Sequence, residues 1–491
     1  MRRAAQMLAV VLLASAAGSC SLVVGSLSEC QTTDDCASRG ADLTCQDHLC
    51  VRTGSLDAGP GDAGPGDGGA TDAGPDVLRD PHCQIVFGEP SDPTVLRLGA
   101  ILSRSTPSGG VDPRGVPRQN ALQLAVQQLN TKAALPNRKF AVRVCDDTGD
   151  SSRAATEAAE LLGEGAVALV TSGSSQTLAV ADVAVPAGAV VMSLSATATQ
   201  ITQAGQVPDG GAKRVWSTAI SDQLQGRVLG GLVHRADGGA AARPACILQD
   251  DIAFNGLFSA VNAAVQARSD GGVSVQRFLF STVADIPATV GRAIDAGPDV
   301  VLIIAPVSQS PDIFNAWTTA PDPAFIFSDN SRSTGVYAFD GGLRRLTGAE
   351  GTGPSTAAQA SAEFSLFKDL YVAKFGADPT SQASYVPNAY DSVLLLGAGA
   401  LWAQGKGEIT GASVAQGLTE LSDLNQTPVA LTADNFTTLR NAFTQGKMVN
   451  VAGASGSLDF DSSTGTAPGP IDVWQIEPDG GIVTIQTVPN P

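Results

Sequence analysis

AVALVTSGSSQTLAVADVAVPAGAVVMSLSATATQIT (Ala166–Thr202) contains two apolar runs, each leading straight into small hydroxyls. The first, AVALV, opens into Thr171, Ser172, Ser174, Ser175 and Thr177; the second, AVVM, opens into SLSATATQIT. Between them TLAVADVAVPAG reads as a helix. Strands apolar throughout, alternating with helices, mean a parallel sheet covered on both faces. In such sheets ligands bind outside the carboxyl ends of the strands, where these hydroxyls lie. Hydroxyls and backbone N–H groups at a helix N-terminus suit a carboxylate or a phosphate. The plainer reading, N-caps and turns with no ligand, also stands for either loop alone.

The alternation spreads outward from this stretch. Before it, TVLRLGAIL and KFAVRVC read as strands, and VPRQNALQLAVQQLN as a helix with Ala121, Leu122, Ala125, Val126 and Leu129 on one face. SSRAATEAAELLG reads as a helix capped by Ser151 or Ser152. After it, a second series begins near Arg214: strands RVWSTAI, PACILQDD, VSVQRFLF, PDVVLIIAP and AFIFSDN alternate with helices, the first over Asp222–Arg235. Three longer helices (SAEFSLFKDLYVAKFG, NAYDSVLLLGAGALWAQG, ASVAQGLTELS) and a β-flavoured tail follow. The fold class is α/β, with two doubly wound lobes.

Composition narrows the function. The 491 residues are 43% hydrophobic, enough to core two or three domains. A net charge of −18, with no basic stripe, argues against nucleic acid. No Gly-rich phosphate motif follows a strand, and GSS lacks the G-x-S-x-G elbow. His48, His82 and His234 have no credible Ser or Cys nucleophile nearby in sequence. CDDTGD reads as a polar strand-end turn rather than a metal cluster. No enzyme, cofactor or metal site is expected.

The N-terminal region has its own logic. MRRAAQ is basic, MLAVVLLASAA is a short apolar run, and AGSC ends at Cys20. The apolar run is too short to span a bilayer and reads as an export signal over residues 1–19. AGSC resembles the bacterial lipobox, which implies lipidation at Cys20 and an exported protein anchored to the cell envelope. The usual Leu of that motif is Ala17 here. Cys30, Cys36, Cys45 and Cys50 crowd one segment without a C-x-x-C pair, so two disulfides in a small knot (20–52) are preferred to zinc. Three connectivities stay open. Cys246, in apolar ACIL, is expected to be a buried free thiol, which leaves Cys83 with Cys145. From Gly54 to Asp76 only residues such as Gly, Pro, Asp and Ala accumulate; they cannot bury a core, so 53–82 reads as a linker.

LRLGAILS, NALQLAVQQLN, VCDDTGDSSRAATEAAELL, the opening stretch, QDDIAFNG, PDVVLIIAP, AYDSVLLLGAGAL and GSLDFD, in that order, resemble the leucine/isoleucine/valine-binding family of type I periplasmic substrate-binding proteins. The resemblance covers roughly residues 94–480. It implies two lobes, 83–217 with 343–449 and 218–342 with 450–491, crossed near Trp216, Arg332–Gly342 and Asn450. It also implies a site: Ser174 for a ligand carboxylate, Ser195 and Thr197 from the second loop, and Asp329 for an α-amine. Phe254 takes the position of an aromatic after QDDIA. Arg114 stands where an aromatic commonly meets the ligand side chain, and would favour an acidic or polar ligand. Simpler roles are an Asx-type turn for Asp329 and a solvated loop charge for Arg114. The family's disulfide beside the first loop has no counterpart, since Gly149 and Gly173 occupy those places. The implied partners are a small amino-acid-like ligand, an ABC permease, and a membrane through the lipid anchor. A sensory or envelope-scaffolding lipoprotein on the same fold is the rival.

Overall fold

The apolar strands read from sequence form two largely parallel sheets in the computed structural model. Residues 82–489 are described, apart from 107–108, 208–210, 237–242, 270, 356 and 380–382, together with the backbone of two short strands. Those strands, β1 (Leu43–Gln46) and β2 (Leu49–Arg52), pair antiparallel with Cys45 opposite Cys50. The signal segment, Cys20, Cys30, Cys36 and linker residues 53–81 lie outside the described residues. Two units part between Asp76 and Val77, and the second carries both large sheets.

The first sheet comprises β3 (Ile85–Gly88), β4 (Leu96–Leu102), β5 (Phe140–Asp146), β6 (Ala168–Thr171), β7 (Val190–Ser193) and β8 (Val215–Ser217), in the order β3-β5-β4-β6-β7-β8. Only the edge strand β3 pairs antiparallel. Helices α1 (Gly115–Thr131), α2 (Ser151–Gly163) and α3 (Ser174–Ala184) connect the strands. After α4 (Asp222–Ala236) the pattern repeats with β9 (Pro244–Gln249), α5 (Ile252–Arg268), β10 (Gln276–Phe280), α6 (Ile286–Asp295), β11 (Val300–Ile304), α7 (Ser310–Ala316) and β12 (Ala324–Phe327).

Period-two alternation explains why both faces are covered. Leu98, Ala100 and Leu102 enter one core of the first lobe and Ile101 the other. In the second lobe, Ala245 and Ile247 go one way, Cys246 and Leu248 the other. Each fully buried aliphatic side chain contributes roughly 1.5–3 kcal/mol. Cys246 is free and buried, and burial pushes its thiol far above the ordinary range. Cys83 and Cys145 form a disulfide in the first lobe, closing 62 residues of chain for about 4 kcal/mol of loop entropy.

The lobe boundaries differ from those expected. After α8 (Gly342–Leu346), β13 (Glu350–Pro354) joins the second sheet between β12 and β17 (Ile471–Ile476), and β18 (Ile482–Val488) completes the order β10-β9-β11-β12-β13-β17-β18. The strand EGTGP shows no apolar alternation; Gly351 is bare because the Trp474 indole lies where a Cβ would sit. The chain then returns to the first lobe as α9 (Ala362–Phe375), α10 (Val386–Lys406), α11 (Gly411–Thr419), β14 (Val429–Ala430), α12 (Phe436–Thr444), β15 (Val451–Gly453) and β16 (Gly456–Ser457). Val451, Leu458, Phe460 and Ala467 all pack in the first-lobe core. The crossings therefore fall at 218–221, 355–361 and 468–470. The second and third lie beyond the expected Arg332–Gly342 and Asn450.

Candidate ligand cleft

The strand order of the first sheet places a topological switch between β4 and β6, whose outgoing connections run to opposite sides. Their carboxyl ends meet: Ser103 N donates to Ser172 Oγ (3.3 Å). The hydroxyls here divide into two groups. Thr171, Thr177 and Ser193 are fully buried and chained together, with Thr177 Oγ1 2.8 Å from Thr171 Oγ1 and 3.0 Å from Ser193 Oγ. They sew the two loops into one piece. Ser174 and Ser195 cross-brace those loops: Ala198 N donates to Ser174 Oγ (3.3 Å), and Gly173 N donates to Ser195 Oγ (3.1 Å). Both serines accept there, so each keeps its own O–H to donate. Gly173, at φ +75°, adopts a conformation that favours glycine and sets the first turn of α3.

The second lobe answers with carboxylates. Asp329 follows β12, and its Oδ1 accepts from Gln225 Nε2 (3.0 Å) on α4. Asp222, buried in the first turn of α4, donates its N–H to the Thr197 carbonyl (2.7 Å), which ties it to the first lobe. Burial, then the charge of Asp329, holds the Asp222 carboxyl well above the usual range, and the Thr197 side chain offsets part of this. Burial also raises Asp329, against the Gln225 hydrogen bond. Among the described residues no lysine or arginine forms an ion pair with either carboxyl.

Arg114 is otherwise engaged. Its guanidinium forks onto Asp112 (3.0 and 2.6 Å), and its side chain is 55% exposed. One turn on, Arg118 is buried; its Nε donates to the Ser384 carbonyl (3.1 Å) and its Cζ lies 5.8 Å from the Tyr385 ring centroid. Tyr385 has φ +64°, a conformation costing a non-glycine residue about 1–3 kcal/mol, and its hydroxyl is buried without a partner among the described residues. Burial, then Asp329 and Asp222, raise its phenol, and the charge of Arg118 opposes them.

The remaining expectations resolve as follows. Phe254 is half-buried in the first turn of α5 and packs against the second-lobe core. The CDDTGD turn is structural in its outer members: Asp146 accepts from Arg104 N, Ser105 N and Ser105 Oγ, and Asp150, not Ser151 or Ser152, caps α2. Asp147 is buried, which pushes its carboxyl up to about 6. Asp222, Gln225, Arg118 and Tyr385 were missed from sequence. SDQLQG signals a helix start and nothing more, and Tyr385 sits in a loop whose Ser384 carbonyl meets Arg118 from 266 positions away.

Among the described residues no cluster of three or more His, Cys, Asp or Glu could hold a metal ion, and no helix is long and apolar enough to cross a membrane.

Two doubly wound lobes, crossed three times by the chain, with polar side chains of both meeting at the strand ends, define a two-lobed solute-binding protein. The periplasmic binding protein family model matches residues 95–480, and the chain belongs to that family. No curated protein matches by sequence. Among solved structures it is similar to the branched-chain amino acid transporter substrate-binding protein LivJ from Streptococcus pneumoniae in complex with isoleucine: 18% identity, TM-score 0.59, covering 80% of this chain and 99% of that one. It is similar to the leucine-binding protein LivK from Thermotoga maritima: 18% identity, TM-score 0.60, with the same coverages. A solute-binding protein of an ABC transporter from R. palustris, in complex with 4-hydroxybenzoate, is 16% identical with TM-score 0.60, over 81% and 98% of the two chains. At these identities the likeness concerns fold. Family membership implies an extracytoplasmic place of action.

Proposed function

We propose that the cleft captures a small amino-acid-like molecule and passes it, chemically unchanged, to an ABC permease, from a lipoprotein anchored at Cys20. The observation that carries this is the acid pair. Asp222 and Asp329 are desolvated beside each other with no protein cation paired to them among the described residues, an arrangement that an ammonium group relieves. Ser174 and Ser195, on the opposite lobe, supply hydroxyls for the carboxylate, beside Thr197, whose side chain is engaged with Asp222. The same pair argues against an aromatic acid such as the R. palustris protein's 4-hydroxybenzoate, which would bring a third carboxylate and no amine.

A thermal-shift screen of amino acids, amines and benzoates on the purified protein tests this. An amino acid should raise the melting temperature, and Ser174→Ala should weaken its binding about tenfold, the worth of one charge-assisted hydrogen bond. Asp329→Asn should weaken it further. A shift with benzoates alone, or undiminished amino-acid binding by Asp329→Asn, overturns the reading.

A further inference from the structure

We infer that the preferred ligand is an amino acid whose side chain ends in a carboxylate, held at that end by Arg118 and the Tyr385 hydroxyl. This rests on the amino-acid reading above and adds the class of side chain.

Arg118 is only 6% exposed, yet among the described residues its sole hydrogen bond is from Nε to the Ser384 carbonyl. Nη1 and Nη2 are left without partners there. The acid beside it, Asp112, is already committed to Arg114 through two side-chain bonds and a third from the Arg114 backbone N–H (2.8 Å). Arg114, moreover, adds positive charge next to Arg118. Burial and that neighbour lower the Arg118 guanidinium to about 10, so it stays charged at neutral pH. A desolvated cation with no carboxylate of its own is unfavourable unless something supplies one.

Tyr385 makes the same point from another element. It precedes α10, whereas Arg118 lies on α1, and the two side chains converge with 5.8 Å from Cζ to the ring centroid. Its hydroxyl is a second buried donor without a partner among the described residues, held in a backbone conformation that tyrosine rarely adopts. A planar guanidinium fork and a phenol at one spot match a carboxylate. An aliphatic side chain there would leave both donors buried and unsatisfied, and sites built to hydrogen-bond a polar group reject analogues that lack it. With the ammonium at Asp222 and Asp329 and the α-carboxylate at the Ser/Thr loops, the second carboxylate falls to Arg118 and Tyr385.

Calorimetry with L-glutamate, L-aspartate, L-glutamine and L-leucine tests this on the wild type, Arg118→Gln, Arg118→Lys and Tyr385→Phe. The wild type should bind glutamate or aspartate at least ~10-fold tighter than glutamine or leucine. Arg118→Gln should bring the acid-to-amide ratio close to one, and Arg118→Lys should keep part of it, since charge remains and the fork is lost. Tyr385→Phe, which removes one atom, should lower the ratio several-fold, and decides the matter if Arg118→Gln does not fold. Glutamine or leucine binding the wild type as tightly as the acids, or an acid preference surviving both Arg118→Gln and Tyr385→Phe, overturns this inference alone. If no amino acid binds at all, the amino-acid reading falls and takes this inference with it.

Discussion

At the scale of single residues, Asp222 and Asp329 behave as one device. Both carboxyls are raised by burial, and the charge of Asp329 raises Asp222 further, so the empty cleft retains protons that an ordinary aspartate loses near pH 4. An ammonium placed against them favours their charged form and lowers both values. Binding therefore expels a proton wherever the pH lies between the lowered values and the raised ones. Affinity should rise with pH from about 4 until the empty pair is itself ionised, and then level off. Titration calorimetry in two buffers of different ionisation enthalpy should show net proton release in that window. Asp222→Asn should reduce the release to the part that the buried Asp329 carries. Binding without proton exchange at any pH from 4 to 8 would mean that the ligand's charge does not reach the pair.

At the scale of elements, the sequence was informative wherever burial imposed a period. β4, β6, β9 and β11 are apolar on both faces and could be read without a structure, as could the helices between them. β13 could not, because its two glycines leave no alternation to find, Gly351 giving way to the Trp474 ring. The third segment of the first lobe failed for another reason: a polar contact decides it. Asp391, buried within α10, accepts from Ala454 N (3.1 Å), Ser455 N (2.7 Å) and Ser455 Oγ (2.6 Å), and so pins the turn after β15 to the first lobe. A lone aspartate inside an apolar helix does not announce such partners, which lie 63 and 64 positions away. The site was legible to the same degree. Ser174, Ser195 and Asp329 follow strands that periodicity identifies, whereas Arg118 and Tyr385 acquire their environment only from tertiary packing. Asp391→Ala should leave three donors without an acceptor and cost about 3 kcal/mol or more, read as a lowered denaturant midpoint. A loss under 1 kcal/mol would show that the turn holds its place without Asp391.

At the scale of the whole molecule, function depends on how the two lobes meet. They touch where the first turns of α5 approach the short turn Thr199–Thr202 that follows β7. Ala253 packs against the first-lobe core, and a Cβ on the buried Gly256 would lie 3.3 Å from Gln200 Oε1 and 3.5 Å from Thr199 Oγ1. That distance admits a hydrogen and little else. Asp329 and Tyr385 can act on one ligand only while this face is shut, because they belong to different lobes. Closure should therefore compete directly with bulk at position 256. Gly256→Leu places a branched side chain in the contact and should cost about 1–3 kcal/mol in the closed form, while the open form, in which the position faces solvent, is spared. A ligand that requires closure must overcome that difference, so its affinity should fall roughly 5- to 150-fold. Scattering should show the wild type contracting on ligand and the variant contracting only at higher concentration. Wild-type affinity and an unchanged contraction in Gly256→Leu would show that the lobes close about some other face.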